Sequence, residues 1–314
     1  MSTLIPVASG KGGVGKSFLT ANLAIALAQM GHNVIAVDLD LGASNLHTFL
    51  GLKNHIPGVG DFLKARSSEL KDLVSPTEID NLGFVAGDAR TPFLANIGDQ
   101  QKRRLITRLR ELPADYVLLD LSAGTSFNTL DFFRLSRHGL LVTTPEYPAI
   151  TNLMTFLRFF FLRTIEKAFS SRPTIRKLLA DEYRRPLERQ HSSLSDLKTR
   201  IFSLDPNAGE QTGTLLAQFR PRVLFNRALH PEDFQISEKM DAAVAESLSI
   251  AVDYFGVVFE DPFVADSIKA RRAHLPFSPE SPSAEAVVRI ARRIEQFWEI
   301  PLTDSARRIR EHLQ

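Results

Sequence analysis

The chain has 314 residues, 44% of them hydrophobic, with a formal net charge of +2. That is enough apolar material for one large domain or two small ones, it argues against wholesale disorder, and the charge is too mild to imply nucleic acid by itself. The absence of cysteine excludes disulfides and any cysteine-held zinc or iron–sulfur site, and no apolar run reaches the roughly 18–20 residues that span a bilayer.

Leu4 to Ala8 reads as a short buried strand. The chain enters it almost at once with no secretory leader pattern, so the expected compartment is the cytoplasm. The strand runs into Gly10-Lys11-Gly12-Gly13-Val14-Gly15-Lys16-Ser17, which fits the phosphate-cradling pattern G-x-x-x-x-G-K-[ST]. Phe18 to Met30 follows as a helix with Leu19, Leu23, Ala26 and Leu27 on one face. Glycines let backbone wrap close to a polyphosphate, and the helix aims its free N–H groups at the same anion. Lys16 would reach the β- and γ-phosphates, and the Ser17 hydroxyl would bind Mg²⁺.

Lys11 is a second lysine inside the loop. The form K-G-G-V-G-K-S resembles the deviant phosphate loop of the MinD/ParA family of ATPases. The resemblance implies ATP and Mg²⁺ as cofactors, with nucleotide contacts from Gly10 through Phe18. It also implies that Lys11 reaches across a dimer interface to the partner subunit's nucleotide. Relatives that carry an iron–sulfur cluster are excluded by the missing cysteines.

His32 to Asp38 is a second strand, apolar as a sheet covered on both faces requires. It ends in Asp38-Leu39-Asp40, and carboxylates at this strand edge face the crevice of the phosphate loop. By resemblance, Asp40 orients the attacking water and Asp38 lies near the metal. A short helix is expected over Val59 to Leu63, a strand over Leu82 to Ala86, and a basic amphipathic helix over Gln100 to Leu112. Asp115 to Asp120 is an apolar strand whose terminal Asp120 suits the water shell of Mg²⁺. The following Leu121-Ser122-Ala123-Gly124 resembles the family's second switch, with Ser122 in place of the usual proline, a change expected to loosen the turn.

Gly139 to Thr143 is another buried strand, followed by Thr144-Pro145-Glu146, where resemblance makes Glu146 a candidate for dimer or partner contact. From 158 to 219 the chain is longer than MinD-type proteins need, and a helical insertion is expected. Between Arg158 and Arg200 eleven basic residues face five acidic ones. That excess suits an acidic partner, anionic lipid or DNA, or simply a solvated helical face. Ser192 to Ser195 and Asp205 to Gly209 read as turn or loop breaks. Arg222 to Arg227 resumes the sheet, Phe234 to Tyr254 reads as helix, and Gly256 to Glu260 as a last strand. Asn226 can donate to and accept from a purine edge; by resemblance it binds adenine, with the backbone of Asp261 and Pro262 laid against the ring. Helices are expected over Ser267 to Arg272 and Ser283 to Phe297. The tail at 299–314 carries Ala306, Ile309 and Leu313 on one stripe beside Arg307, Arg308 and Arg310. It suits packing on the body or weak membrane contact.

The expected fold is a single α/β domain over 1–314, doubly wound, its mainly parallel sheet carrying helices on both faces. The expected function is an ATPase switch that dimerises on ATP, hydrolyses it slowly, and positions or partitions a cellular structure. Lys11, Lys16 and Asp40 carry the catalysis, and Ser17, Asp38 and Asp120 hold the metal. An activator or cargo protein is implied, and a membrane or DNA surface is a further candidate partner. The alternative is a scaffold that nucleotide merely stabilises, binding a partner through the basic insertion without turnover.

Overall fold

The computed structural model describes residues 2–53, 57–64, 69–87, 97–184 and 193–313. Strand β1 (Thr3–Ala8) leads through the phosphate loop into α1 (Lys16–Gln29), then β2 (Val34–Leu39). Two short helices, α2 (Leu46–Phe49) and α3 (Val59–Leu63), precede β3 (Ser75–Pro76) and β4 (Leu82–Val85). Helix α4 (Asp99–Arg110) leads to β5 (Tyr116–Leu121), α5 (Phe127–Phe133) and β6 (Leu140–Thr143). Four helices follow: α6 (Tyr147–Ala168), α7 (Pro173–Arg184), α8 (Leu194–Leu204) and α9 (Pro206–Ala217). The chain then runs through β7 (Arg222–Ala228), α10 (Ile236–Leu248), β8 (Asp253–Phe259), α11 (Pro262–Lys269), α12 (His274–Phe277), α13 (Pro282–Phe297) and α14 (Ser305–Leu313).

The eight strands form one sheet in the order β3-β4-β2-β5-β1-β6-β7-β8, parallel throughout except for the β3–β4 edge. β1 lies centrally, because the chain winds first to one side and then to the other. The crevice beyond its C-terminal end is where such sheets bind ligands. Alternation along the strands feeds two cores. Val117, Leu119 and Leu121 of β5 join Ile35 and Val37 of β2 on the face covered by α4, α5 and α6. Leu118 and Ala36 point the other way, onto α1 and α13. Helix α1 is buried from Phe18 to Ala28; Ala21, Ala24, Ala26 and Ala28 give it the slim profile needed to lie between sheet and α13.

The 158–219 stretch begins inside α6 and continues through α7, α8 and α9. Its apolar faces pack on the domain: Phe133 of α5 meets Phe156 and Phe160 of α6 edge-on, each at 5.1 Å between ring centres. Part of its charge is used internally. Arg158 and Arg200 both pair with Glu182, which is buried, and Arg172 pairs with Asp205. Arg163 grips Asp131 of α5 through Nε and Nη2, at 2.8 and 2.9 Å. Arg176, Lys177, Arg184 and Lys198 remain on the surface; Arg185, Glu188, Arg189 and Ser192 lie outside the described residues.

Several boundaries differ from expectation. Asp205 to Gly209 is not a loop: Asp205 caps α9 by accepting from the Ala208 amide at 3.0 Å, and Pro206 starts the helix, the usual sense of Asp-Pro at a helix start. Ser193 likewise caps α8. The helix expected through Tyr254 stops at Leu248, because Ser249 turns left-handed (φ 51°), and β8 starts at Asp253. The helix expected at Ser267 starts at Pro262, again behind a capping aspartate, Asp261. Ala306 and Ile309 of α14 are buried against the body, and Ser305 Oγ accepts from the Tyr254 amide at 2.9 Å.

Candidate functional site

The phosphate loop occupies the turn from β1 into α1, and two of its glycines are obligatory on geometry. A Cβ on Gly10 would lie 2.2 Å from the Asn152 carbonyl oxygen of α6. Gly15 has φ +88°, and a Cβ there would lie 2.1 Å from Asn226 Nδ2. Asn226 is that close because its Nδ2 donates to the Val14 carbonyl at 2.9 Å. The amide thus clamps the loop from β7 and keeps its Oδ1 as an acceptor.

Beyond Asn226 lies an apolar cavity of about 430 Å³, walled by Phe18, Phe49, Pro262, Val264, Ala265 and Ile268, with Gly15 at its inner end. Its apolar lining suits an aromatic base. Asp261 contributes backbone to the wall. Its carboxylate turns away, accepting from Phe263 N at 3.0 Å and from Ser283 N and Oγ at 3.1 and 2.6 Å. Buried though it is, these donors hold its carboxyl below the ordinary value.

At the other end of the loop the charges gather. β2 and β5 are neighbours with Asp38 opposite Asp120, and both side chains are fully buried. Lys16 Nζ, itself 7% exposed, pairs with Asp120 Oδ1 at 2.5 Å and also reaches Ser17 Oγ at 3.4 Å. Thr20 Oγ1 donates to the same Asp120 oxygen at 3.2 Å. Asp38 accepts from Ser44 Oγ at 2.6 Å, Leu46 N at 3.1 Å and Asp40 N at 3.0 Å. Burial, and then the charge of Asp120, push its carboxyl up to about 7. Two adjacent buried carboxylates are thus accompanied by one lysine, which bonds Asp120, and Asp120 Oδ2 is buried with no hydrogen-bond partner among the described residues.

That deficit of positive charge and the unused oxygen fit a hydrated divalent cation. Among the described residues no group of three or more His, Cys, Asp or Glu could hold a metal. Asp38, Asp120 and the Ser17 hydroxyl would therefore supply a partial shell that phosphate and water complete, the habit of Mg²⁺.

Asp40 sits half-buried at the end of β2, and its Oδ1 accepts from Ala43 N at 3.2 Å and Ser122 Oγ at 3.0 Å. Ser122 does not leave a loosened turn, as its replacement of proline suggested; its hydroxyl ties the two loops together. Gly124 N donates to Ser9 O at 2.9 Å, which ties the loop after β5 to the start of the phosphate loop as well. Lys11 is exposed and makes no hydrogen bond or ion pair with any described residue. Glu146 is exposed, accepts from Thr144 Oγ1 at 2.9 Å, and starts α6, the helix whose Asn152 backs onto Gly10.

The fold thus brings Lys16, Ser17, Asp38, Asp40 and Asp120 to one end of the loop, and Phe18, Asn226, Asp261 and Pro262 to the other. Thr20, Ser44, Phe49 and Ser122 also belong here. Ser122 falls in the second-switch stretch, where it read only as a missing proline, and no motif marks Thr20, Ser44 or Phe49 as site residues; Thr20, one turn beyond Lys16 on the same helix, was within reach of helical periodicity.

A profile of the family described as "CobQ/CobB/MinD/ParA nucleotide binding domain" matches residues 5–274. The septum site-determining protein MinD of Helicobacter pylori is 36% identical over 151 residues, 48% of this chain and 56% of that protein. The chain spans about half the length of the MinD relatives it matches. The antiactivator FleN of Pseudomonas aeruginosa is 25% identical over 303 residues, 95% of this chain and 88% of that protein. Among solved structures, MinD of Pyrococcus horikoshii complexed with Mg-ADP superposes with TM-score 0.59 at 21% identity, over 95% of this chain and 98% of that one. The MinC:MinD complex of Aquifex aeolicus gives 0.62 at 19% identity, over 97% and 100%. Sheet order, phosphate loop and profile agree, and this chain belongs to the CobQ/CobB/MinD/ParA nucleotide-binding family.

Proposed function

We propose that the chain is an ATP- and magnesium-dependent switch that dimerises on ATP, hydrolyses it slowly, and positions or partitions a cellular structure. One observation carries the reading: Lys16, Ser17, Asp38 and Asp120 converge at the mouth of the phosphate loop, with Asp120 Oδ2 buried and unpartnered. Ser17, Asp38 and Asp120 would hold Mg²⁺, which would supply charge neutralisation on the phosphates. The loop's backbone amides and the start of α1 hold the phosphates. Lys16 exchanges its bond to Asp120 for one to phosphate oxygen, stabilising charge that grows in the transition state. Asp40, with one oxygen occupied by its own loop and Ser122, offers the other to orient the attacking water. The base lies in the cavity beside Asn226, against the backbone of Asp261 and Pro262. Lys11, exposed and unengaged, extends to the nucleotide of a second copy.

The family relationship and the septum-placing role in the MinD relatives' name support a positioning task. We place the protein in the cytoplasm, in contact with an activator or cargo protein. Among the described residues no helix is long and apolar enough to cross a membrane. The buried stripe of α14 leaves little apolar surface for anchoring. The test is phosphate release by wild type and Lys16→Ala with ATP and Mg²⁺. Wild type should turn over, and the variant should lose about 100-fold or more. Equal rates would end the assignment. Light scattering of Asp40→Ala with ATP should give a dimer that Lys11→Ala prevents.

A further inference from the structure

The Ser122 hydroxyl has a task that the family's proline could not perform. β2 and β5 run in register to Leu39 opposite Leu121, so the next residues, Asp40 and Ser122, leave the sheet side by side. Ser122 Oγ donates to Asp40 Oδ1 at 3.0 Å, and Ala43 N reaches the same oxygen at 3.2 Å. Oδ2 takes no hydrogen bond from any described residue. A half-buried carboxylate with neither oxygen bound can still rotate about its last bond; two donors on one oxygen restrict that rotation and fix where the other oxygen points. We propose that Ser122 is a positioning residue for hydrolysis. It holds the Asp40 carboxylate so that Oδ2 is presented to the attacking water, and it couples the loop after β5 to the loop after β2. This rests on the reading of Asp40 given above.

The coupling has a second consequence. The loop after β5 is also tied to the phosphate loop, through Gly124 N and Ser9 O at 2.9 Å. Ser122 therefore completes a chain of contacts from the phosphate loop to Asp40 that does not pass through the nucleotide. Ser122 is absent from the lining of the base cavity and its hydroxyl bonds Asp40 rather than Lys16, so losing it should affect turnover and spare nucleotide binding.

The test compares wild type, Ser122→Ala, Ser122→Thr, Asp40→Ala and the Ser122→Ala/Asp40→Ala double variant. Each is assayed for kcat, for KM, and for affinity by fluorescent-nucleotide titration. Ser122→Ala should lower kcat about tenfold, the scale of a lost hydrogen bond to a charged group, with KM and affinity within about twofold. Ser122→Thr should restore kcat, and the double variant should be no slower than Asp40→Ala. Wild-type kcat in Ser122→Ala beside an inactive Asp40→Ala overturns the proposal and leaves the Asp40 reading intact, as does a threonine variant no better than alanine. A rise in KM matching the fall in kcat also overturns it, since that reports damage to binding. Wild-type turnover in Asp40→Ala removes both.

Discussion

The raised carboxyl of Asp38 makes a prediction about the nucleotide-free protein that needs no assay of activity. Burial, then the neighbouring Asp120 charge, push this group from an ordinary 3.8 up to about 7. Between those two values the folded protein holds a proton that the unfolded chain has released, so stability falls as pH rises through that window. At about 1.36 kcal/mol per pKa unit the ceiling is ~4 kcal/mol, of which ~2–3 kcal/mol is lost between pH 5 and pH 8. Burial also holds His47, His138 and His274 below their ordinary value, and their contribution has the opposite sign, rising with pH. The histidines are common to wild type and Asp38→Asn, so a comparison of the two isolates the aspartate. Asparagine keeps one acceptor oxygen and so loses either the Asp40 amide bond or the bonds from Ser44 and Leu46, a cost that does not vary with pH. The assay is urea unfolding of both proteins at half-unit steps from pH 5 to pH 8, without nucleotide or divalent cation. Their difference in stability should shift by ~2–3 kcal/mol in favour of the variant as pH rises. Parallel curves would refute the claim that Asp38 and Asp120 form a buried, undercompensated pair. Mg²⁺ with nucleotide should flatten the wild-type slope, because the cation holds Asp38 ionised in the folded state.

Gly15→Ala places a Cβ 2.1 Å from Asn226 Nδ2 at φ +88°. It should destabilise the nucleotide-free protein by about 2 kcal/mol or more, whereas Gly12→Ala, whose Cβ meets nothing within 4 Å, should stay within about 0.5 kcal/mol. Equal melting temperatures for the two would contradict the Asn226 clamp. Arg222 is fully buried, pairs with Asp253, and donates to the Trp298 and Ile300 carbonyls at 3.0 and 2.9 Å beyond the end of α13. Arg222→Met should cost ~3 kcal/mol in urea unfolding, the low end for a broken buried pair because Arg220 still reaches Asp253 at 2.6 Å. A loss below about 1 kcal/mol would mean that the pair is dispensable.

What the order of residues determined by itself was local. Glycine spacing fixed the phosphate loop, apolar runs ending in Asp38 and Asp120 marked two crevice strands, and periodicity located most helices. These signals lie within a few residues of one another, where turn geometry and side-chain alternation are set by neighbours. Only the tertiary structure decided which residues meet. Lys16 finds Asp120 across 104 positions and Asn226 finds Val14 across 212, because both pairs are joined by strand order rather than by chain order. The same holds for Ser122 with Asp40, a substitution that read as a weakened turn until the register of β2 and β5 set the two side by side. It holds again for the basic stretch after Arg158. Composition counted its charge, but Glu182 had to be buried among three helices before Arg158 and Arg200 became part of the packing. Periodicity says which face of an element is apolar; the partner of a polar side chain depends on the path of the whole chain.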